Sequence, residues 1–177
     1  MLTLLKSWVR PDAFHTVLNE RSGRWYNACL RITRDADLAA DAVQEALLKA
    51  WDRRDDFRGE AALDSWIHRI AVNAAIDLTR RRKTRAENEF DDDSFEAAPS
   101  ASPDSEYVLD ALGKDLAVAM QRLSTTERQT FVLKHIEGWR LEEIAESLHT
   151  NVNNTKSTLF RAIRKLRVDL QVWSSES

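Results

Sequence analysis

Apolar residues return at spacings of three, four or seven through most of this chain, as they do in helices that bury one stripe. Over residues 12–33 the stripe is Phe14, Leu18, Trp25, Cys29 and Ile32; over 36–51 it is Ala39, Val43, Leu47, Ala50 and Trp51. The second predicted helix has an acidic reverse side. Asp37, Asp41 and Glu45 follow one another by four, so their carboxylates stack on one face beside Gln44. Residues 55–63, polar around Phe57 and Gly59, read as a loop. The next helix is expected over 64–82, capped by Asp64 or Ser65. Ile67, Ile70, Ala71, Ala74 and Leu78 form its core side, and Arg69, Asn73, Asp77 and Arg80 its other side. It ends in Arg80, Arg81, Arg82 and Lys83, cations that suit the negative end of a helix dipole.

The pattern then breaks. Residues 87–103 hold Asp91, Asp92, Asp93 and Glu96, then Ala, Ser and two prolines, too polar and interrupted to bury a face. Helical periodicity resumes over 105–123 with Val108, Leu112, Leu116, Ala119, Met120 and Leu123. Ser124, Thr125, Thr126 and Glu127 have the form of a capping box, in which the serine oxygen and the glutamate side chain each take a backbone N–H of the other. The helix that follows carries Phe131, Val132 and Ile136 and stops near Gly138. A short helix over 141–148 turns Leu141, Ile144, Ala145 and Leu148 inward. His149, Thr150 and Asn151 make a turn, and Asn151 is the natural N-cap of a last helix reaching about Val172. The predicted architecture is all-α: two small helical domains, 1–86 and 105–177, joined by a flexible acidic linker over 87–104.

Composition agrees with this division. With 177 residues, 43% of them hydrophobic, the chain can bury one ordinary core or two small ones. Charged residues at 31%, with four Gly and three Pro, favour long amphipathic helices over a turn-rich β fold. Cys29 is the single cysteine, so neither a disulfide framework nor a thiolate zinc site can be assembled, and a reducing cytoplasm fits. The start of the chain lacks the long apolar run of a signal peptide, and nowhere do about 18 apolar residues run together as a membrane span requires. A soluble, cytoplasmic protein is expected. The net charge of −3 looks wrong for a nucleic-acid binder until the charges are seen to lie in separate blocks.

The last helix shows what the separation is for. A helix-turn-helix works when its first helix braces the second, leaving one face of the second free for the major groove. Thr155, Leu159, Ala162, Ile163 and Leu166 form a packing stripe, while Lys156, Ser157, Phe160, Arg161 and Arg164 project elsewhere. Lys and Arg donate to phosphate oxygens or to guanine O6 and N7, Ser serves either kind of acceptor, and an aromatic ring packs on a thymine methyl. Duplex DNA is the expected ligand, with the division between base and phosphate contacts open.

Residues 123–167, LSTTERQTFVLKHIEGWRLEEIAESLHTNVNNTKSTLFRAIRKLR, resemble the fourth-region domain of extracytoplasmic-function sigma factors, the small sigma subunits of bacterial RNA polymerase. DAVQEALLKAW at 41–51 resembles the family's acidic second helix, and FRGEAALDSWIHRIAVNAAIDLTRR at 57–81 its loop and helix that open the −10 element. The resemblance implies an alternative-sigma initiation factor that takes core RNA polymerase to specific promoters. It implies that Asp41, Gln44 and Glu45 meet the β′ clamp helices, with the β flap as a second polymerase contact. Arg58, Gly59 and Leu63 would hold a flipped base, with Trp66, Arg69 and Asn73 near the start of melting and Arg80 and Arg81 along the backbone. Trp66 could equally belong to the core. Lys156, Ser157, Phe160, Arg161 and Arg164 would read the −35 element. An anti-sigma protein would be the inhibitor, and the linker acids folding over a basic face would be an internal alternative. Some positions depart from the family pattern: Ala40 replaces a common acid, Ser124 a proline and His149 the turn glycine, and Asn153, Asn154, Thr155 and Thr158 also differ. His and Asn are enriched among non-glycine residues at positive φ, so the turn can still form.

Two other classes compete. A helix-turn-helix repressor or activator would use the last domain alone, the first serving dimerisation or sensing. An enzyme would need a fixed site, and adjacent carboxylates such as Asp91, Asp92 and Asp93 in a linker lack a fixed coordination shell. His15, His68, His135 and His149 lie on separate elements without ligand spacing. No catalytic residue, metal or cofactor is expected.

Overall fold

Pro11 opens helix α1 (Pro11–Thr33), at a position where its missing N–H has no partner to lose. The computed structural model describes residues 11–57, 62–88 and 116–174, and every regular element among them is helical. The chain divides into two compact units, Met1–Ser100 and Ala101–Ser177.

In the first unit α1, α2 (Ala36–Asp52) and α3 (Leu63–Asn88) pack against one another pairwise. Arg34 bridges α1 and α2 at φ 56°, and Asp35 caps α2 by accepting the Leu38 N–H at 2.9 Å. Burial lies on Trp25, Ala28, Cys29 and Ile32 of α1 and on Ile67, Ala71, Val72, Ala74, Ala75 and Ile76 of α3. Helix α2 buries a different stripe from the predicted one. Ala39, Ala42, Ala46 and Ala50 are fully inside, Val43 and Leu47 are half-buried, and Trp51 is 39% exposed. The reason is steric: a helix touching two neighbours at once needs methyl groups at the contact, and the larger side chains move to its flanks. Trp51 instead meets Phe14 edge-on, ring centres 5.4 Å apart, and carries the Arg54 guanidinium 4.6 Å from its ring centre.

Helix α3 also begins and ends differently from the predicted 64–82. It starts at Leu63, so Asp64 lies inside the first turn and neither it nor Ser65 is the N-cap. The Asp64 carboxylate accepts the indole N–H of the buried Trp25 at 2.8 Å and Arg24 at 2.6 Å, stapling α3 to α1. At its other end the helix runs on to Asn88, since Lys83, Thr84, Arg85 and Ala86 include no glycine or proline to stop it. Arg82 pairs with Asp35, fixing this extension to the α1–α2 turn. The loop residues 58–61, the predicted linker beyond 88 and the start of the predicted helix at 105–115 lie outside the described residues.

In the second unit, residues 116–119 are helical and a tight 3-10 turn, Met120–Arg122, leads to α4 (Thr125–Phe131). The capping box forms as expected: the Glu127 N–H donates to Ser124 Oγ at 3.3 Å, and the Ser124 N–H to Glu127 Oε2 at 3.0 Å. Beyond α4 the backbone widens into a π-helical turn, Val132–Ile136, which leaves Ile136 exposed, and Gly138 at φ 72° ends it. Then come α5 (Leu141–Ser147) and the long α6 (Val152–Ser174). Ala119, Leu123, Ala162 and Leu166 form one cluster, joined by Leu116, Met120 and Phe131. Val132, Leu133, Trp139, Ile144 and Ala145 are buried as well.

Candidate functional site

The join between α5 and α6 decides whether α6 can present a face. His149 sits at φ 51°, the left-handed value that a helix C-terminus needs. Its N–H donates to Glu146 O at 3.1 Å and that of Thr150 to Ala145 O at 2.9 Å, the paired bonds of a Schellman closure. Asn151 then caps α6 by accepting the Asn154 N–H at 2.8 Å. Helix α5 packs on α6 as its brace, and so does α4.

On α6, Thr155, Ala162 and Leu166 are buried and Leu159 and Ile163 half-buried, the expected packing stripe. Lys156, Ser157, Phe160, Arg161 and Arg164 are all exposed and together line one open surface groove. Phe160 is 66% exposed, an aromatic ring without a core to join. Three cations, a hydroxyl and a ring within little more than two helical turns match what the edge of a duplex offers in the major groove.

Two residues that sequence reasoning missed shape this face. Thr158 is buried, and its Oγ1 accepts Arg161 Nη2 at 3.0 Å. Glu127 closes the capping box of α4, accepts Lys165 Nζ at 2.7 Å and lies 3.8 Å from Arg161 Nε. Burial works to raise the Glu127 carboxyl, but the Lys165 hydrogen bond, the Ser124 N–H and the Lys165 charge outweigh it and hold it below its ordinary 4.5. The spacing S-x-x-E signalled the cap; the reach of the same carboxylate to residues some 38 positions on left no sequence mark.

In the first unit Asp41 and Gln44 are exposed on one face of α2, and Leu48 continues that face at 63% exposure. Glu45 is half-buried and occupied: Lys49 lies at 2.5 Å and Arg81 at 4.0 Å. Of the residues expected to touch the −10 DNA, Leu63 is half-buried and Arg69 exposed, while Asn73 donates back to Arg69 O at 3.0 Å. Trp66 is half-buried with its ring centre 5.3 Å from that of Phe57, so it is neither a core residue nor a free platform. Arg80 pairs with Asp77 at 2.9 Å. The basic run is thus partly committed inside the unit, and Arg58 and Gly59 lie outside the described residues. Among the described residues no three His, Cys, Asp or Glu side chains converge as metal ligands, and no helix is long and apolar enough to cross a membrane.

Both units match family models: Sigma-70 region 2 over residues 19–85, and Sigma-70, region 4 over 114–166. The chain is 33% identical over 157 residues to the ECF RNA polymerase sigma factor SigL of Mycobacterium tuberculosis, covering 86% of each chain. This chain belongs to the extracytoplasmic-function sigma factors. It is 29% identical over 155 residues to the RNA polymerase sigma factor SigV of Bacillus subtilis, covering 88% of this chain and 89% of that one. The fold agrees with that of the sigma factor RpoE, solved with the anti-sigma factor NepR from Bartonella quintana: TM-score 0.59, 24% identity, 90% of this chain and 97% of that one. CnrH, solved with the cytosolic domain of CnrY, gives a TM-score of 0.54 at 23% identity, over 94% of this chain and 92% of that one. As a sigma factor the protein is a transcription initiation factor and not an enzyme; it binds core RNA polymerase and promoter DNA. The alternative of a repressor or activator outside the polymerase falls with that membership.

Proposed function

We propose that the two units divide the work of initiation. The first, 1–86, docks on the β′ clamp helices through Asp41, Gln44 and Glu45 and opens the −10 element with Leu63, Trp66, Arg69 and Asn73, together with Arg58 and Gly59. The second, 105–177, reads the −35 element with Lys156, Ser157, Phe160, Arg161 and Arg164, close to the β flap. One observation carries this reading: five exposed side chains of α6 line one groove beside a closed helix-turn-helix. Arg80 and Arg81 follow the DNA backbone only by leaving Asp77 and Glu45, which makes them secondary. A cytoplasmic site of action follows from the polymerase, and an anti-sigma protein is the proposed inhibitor.

The test is transcription from fragmented genomic DNA by core polymerase with and without the protein, mapping transcript starts by sequencing. The expected result is a set of new starts sharing upstream motifs at two spaced positions. Asp41→Lys with Glu45→Lys removes the starts by abolishing core binding; Lys156→Ala with Arg161→Ala removes or broadens the upstream motif and leaves core binding intact. Full core binding by the charge-reversed protein, or an unchanged motif with the α6 variant, sinks the corresponding assignment.

A further inference from the structure

Glu127 joins the start of α4 to two cations of α6 through one carboxylate. Its side chain is 7% exposed, and it accepts the Ser124 N–H, pairs with Lys165 and faces Arg161. Arg161 is held on two sides: its Nε lies 3.8 Å from Glu127 Oε1, and its Nη2 donates to the buried Thr158 hydroxyl at 3.0 Å. A guanidinium is a rigid plane with five donors, so tethering one edge fixes the direction of the rest. The Arg161 side chain still keeps 52% of its surface exposed toward solvent. Lys165 donates to the same carboxylate at 2.7 Å while 44% of its side chain stays exposed, so its charge is drawn toward the protein and away from a phosphate.

We propose that Glu127, with Thr158, is a positioning residue that trades general attraction to phosphate for base choice: it aims Arg161 at a base edge and withholds Lys165 from the backbone. The proposal rests on the assignment of Arg161 to −35 reading. An Arg that reads guanine must present two donors in a set plane, whereas one that contacts phosphate gains from freedom. Two cations drawn to a buried anion also neutralise fewer phosphates and so release fewer counterions from the DNA. A residue that merely held the fold would weaken every kind of DNA binding when lost. Loss of a positioning residue acts in opposite directions on the two kinds.

Four variants of the full chain decide this. Glu127→Gln keeps the capping-box geometry, since Gln also serves at that position, and removes the charge. Thr158→Val removes the hydroxyl at constant shape. Ser124→Ala weakens the cap while leaving both ion pairs, a control for stability, and Arg161→Ala tests the underlying assignment. Each holoenzyme is offered a duplex library randomised across the −35 element, and each free chain is titrated with random-sequence duplex over a salt series. Glu127→Gln is expected to bind random duplex severalfold more tightly at low salt, with a salt slope steeper by about 0.9 for one phosphate gained. It is also expected to lose about fivefold or more of the preference at the base pair that Arg161 reads. Thr158→Val loses the preference with little change in slope. If Glu127→Gln weakens both duplexes in parallel, as Ser124→Ala does, or keeps the preference that Arg161→Ala abolishes, the positioning role is wrong and the reading by Arg161 stands. If Arg161→Ala leaves the preference unchanged, the reading itself is wrong and the proposal goes with it.

Discussion

His149 is a non-glycine residue at φ 51° in the closure between α5 and α6, the proposed DNA-reading pair. The left-handed conformation costs an ordinary L-residue about 1–2 kcal/mol, part of which glycine gives back through its larger entropy loss on folding. His149→Gly should therefore stabilise the second unit by about 0.5–1 kcal/mol, read as slower amide exchange across α5 and α6, with the preferred promoter unchanged. The turn itself was legible, because His and Asn tolerate this φ where β-branched residues do not. Glu127, buried, and Asp35, half-buried, were not legible as anchors, since their partners Lys165 and Arg82 lie on distant helices. Both carboxyls sit below their ordinary values of 4.5 and 3.8. For Asp35 the main cause is the Leu38 N–H, and burial opposes it; for Glu127 burial opposes the Lys165 and Ser124 bonds that prevail. A carboxyl lowered by folding stabilises at pH above its unfolded value, and that contribution is lost as pH falls through the folded one. The stabilisation from both carboxyls should thus start to fall as pH drops through their ordinary values and be gone below the lowered ones. Glu127→Gln should be less stable than the parent at pH 7 and approach it in acid, as pH-dependent denaturant titrations will show; a gap that persists undiminished at low pH argues against the assigned ion pair.

At the scale of elements, periodicity located the helices but misplaced one face. Two stripes on α2 have nearly the same period, one through Val43 and Leu47 and one through Ala42 and Ala46. Hydropathy favours the first, and close approach to two neighbouring helices selects the second. Helix α6 escaped this ambiguity because its two sides differ in charge as well as size. The π-helical turn at Val132–Ile136 had no compositional mark, since it arises from a one-residue shift in hydrogen bonding. The alanine stripe leads to a direct test. Ala46→Leu inserts a larger group where no exposed surface remains, so it should cost about 1–3 kcal/mol through overpacking. Val43→Leu, on the half-buried flank, should cost less than half as much in the same denaturant titration. Equal costs would restore the stripe read from hydropathy.

For the whole molecule, a net charge of −3 is compatible with DNA binding because the acids of α2 and the cations of α6 lie on separate units, which the proposed function gives to different partners. For a −35 duplex the free chain offers the short basic face of α6. Once the first unit is bound to polymerase, contact by α6 becomes intramolecular, and its affinity is multiplied by an effective concentration without any new contact. The free protein should therefore bind a duplex carrying only its −35 sequence weakly, with a salt slope set by its few phosphate contacts, and full promoter occupancy should appear only with core enzyme. The gain is expected to reach about 100-fold or more. Asp41→Lys with Glu45→Lys should remove that gain while leaving the weak binding of the free chain unchanged or slightly tighter, because two acids have become cations. The opposite pattern, strong promoter binding by the free chain that is indifferent to core enzyme and to these substitutions, would mean that α6 recognises DNA unaided. The acidic face of α2 would then need a different partner.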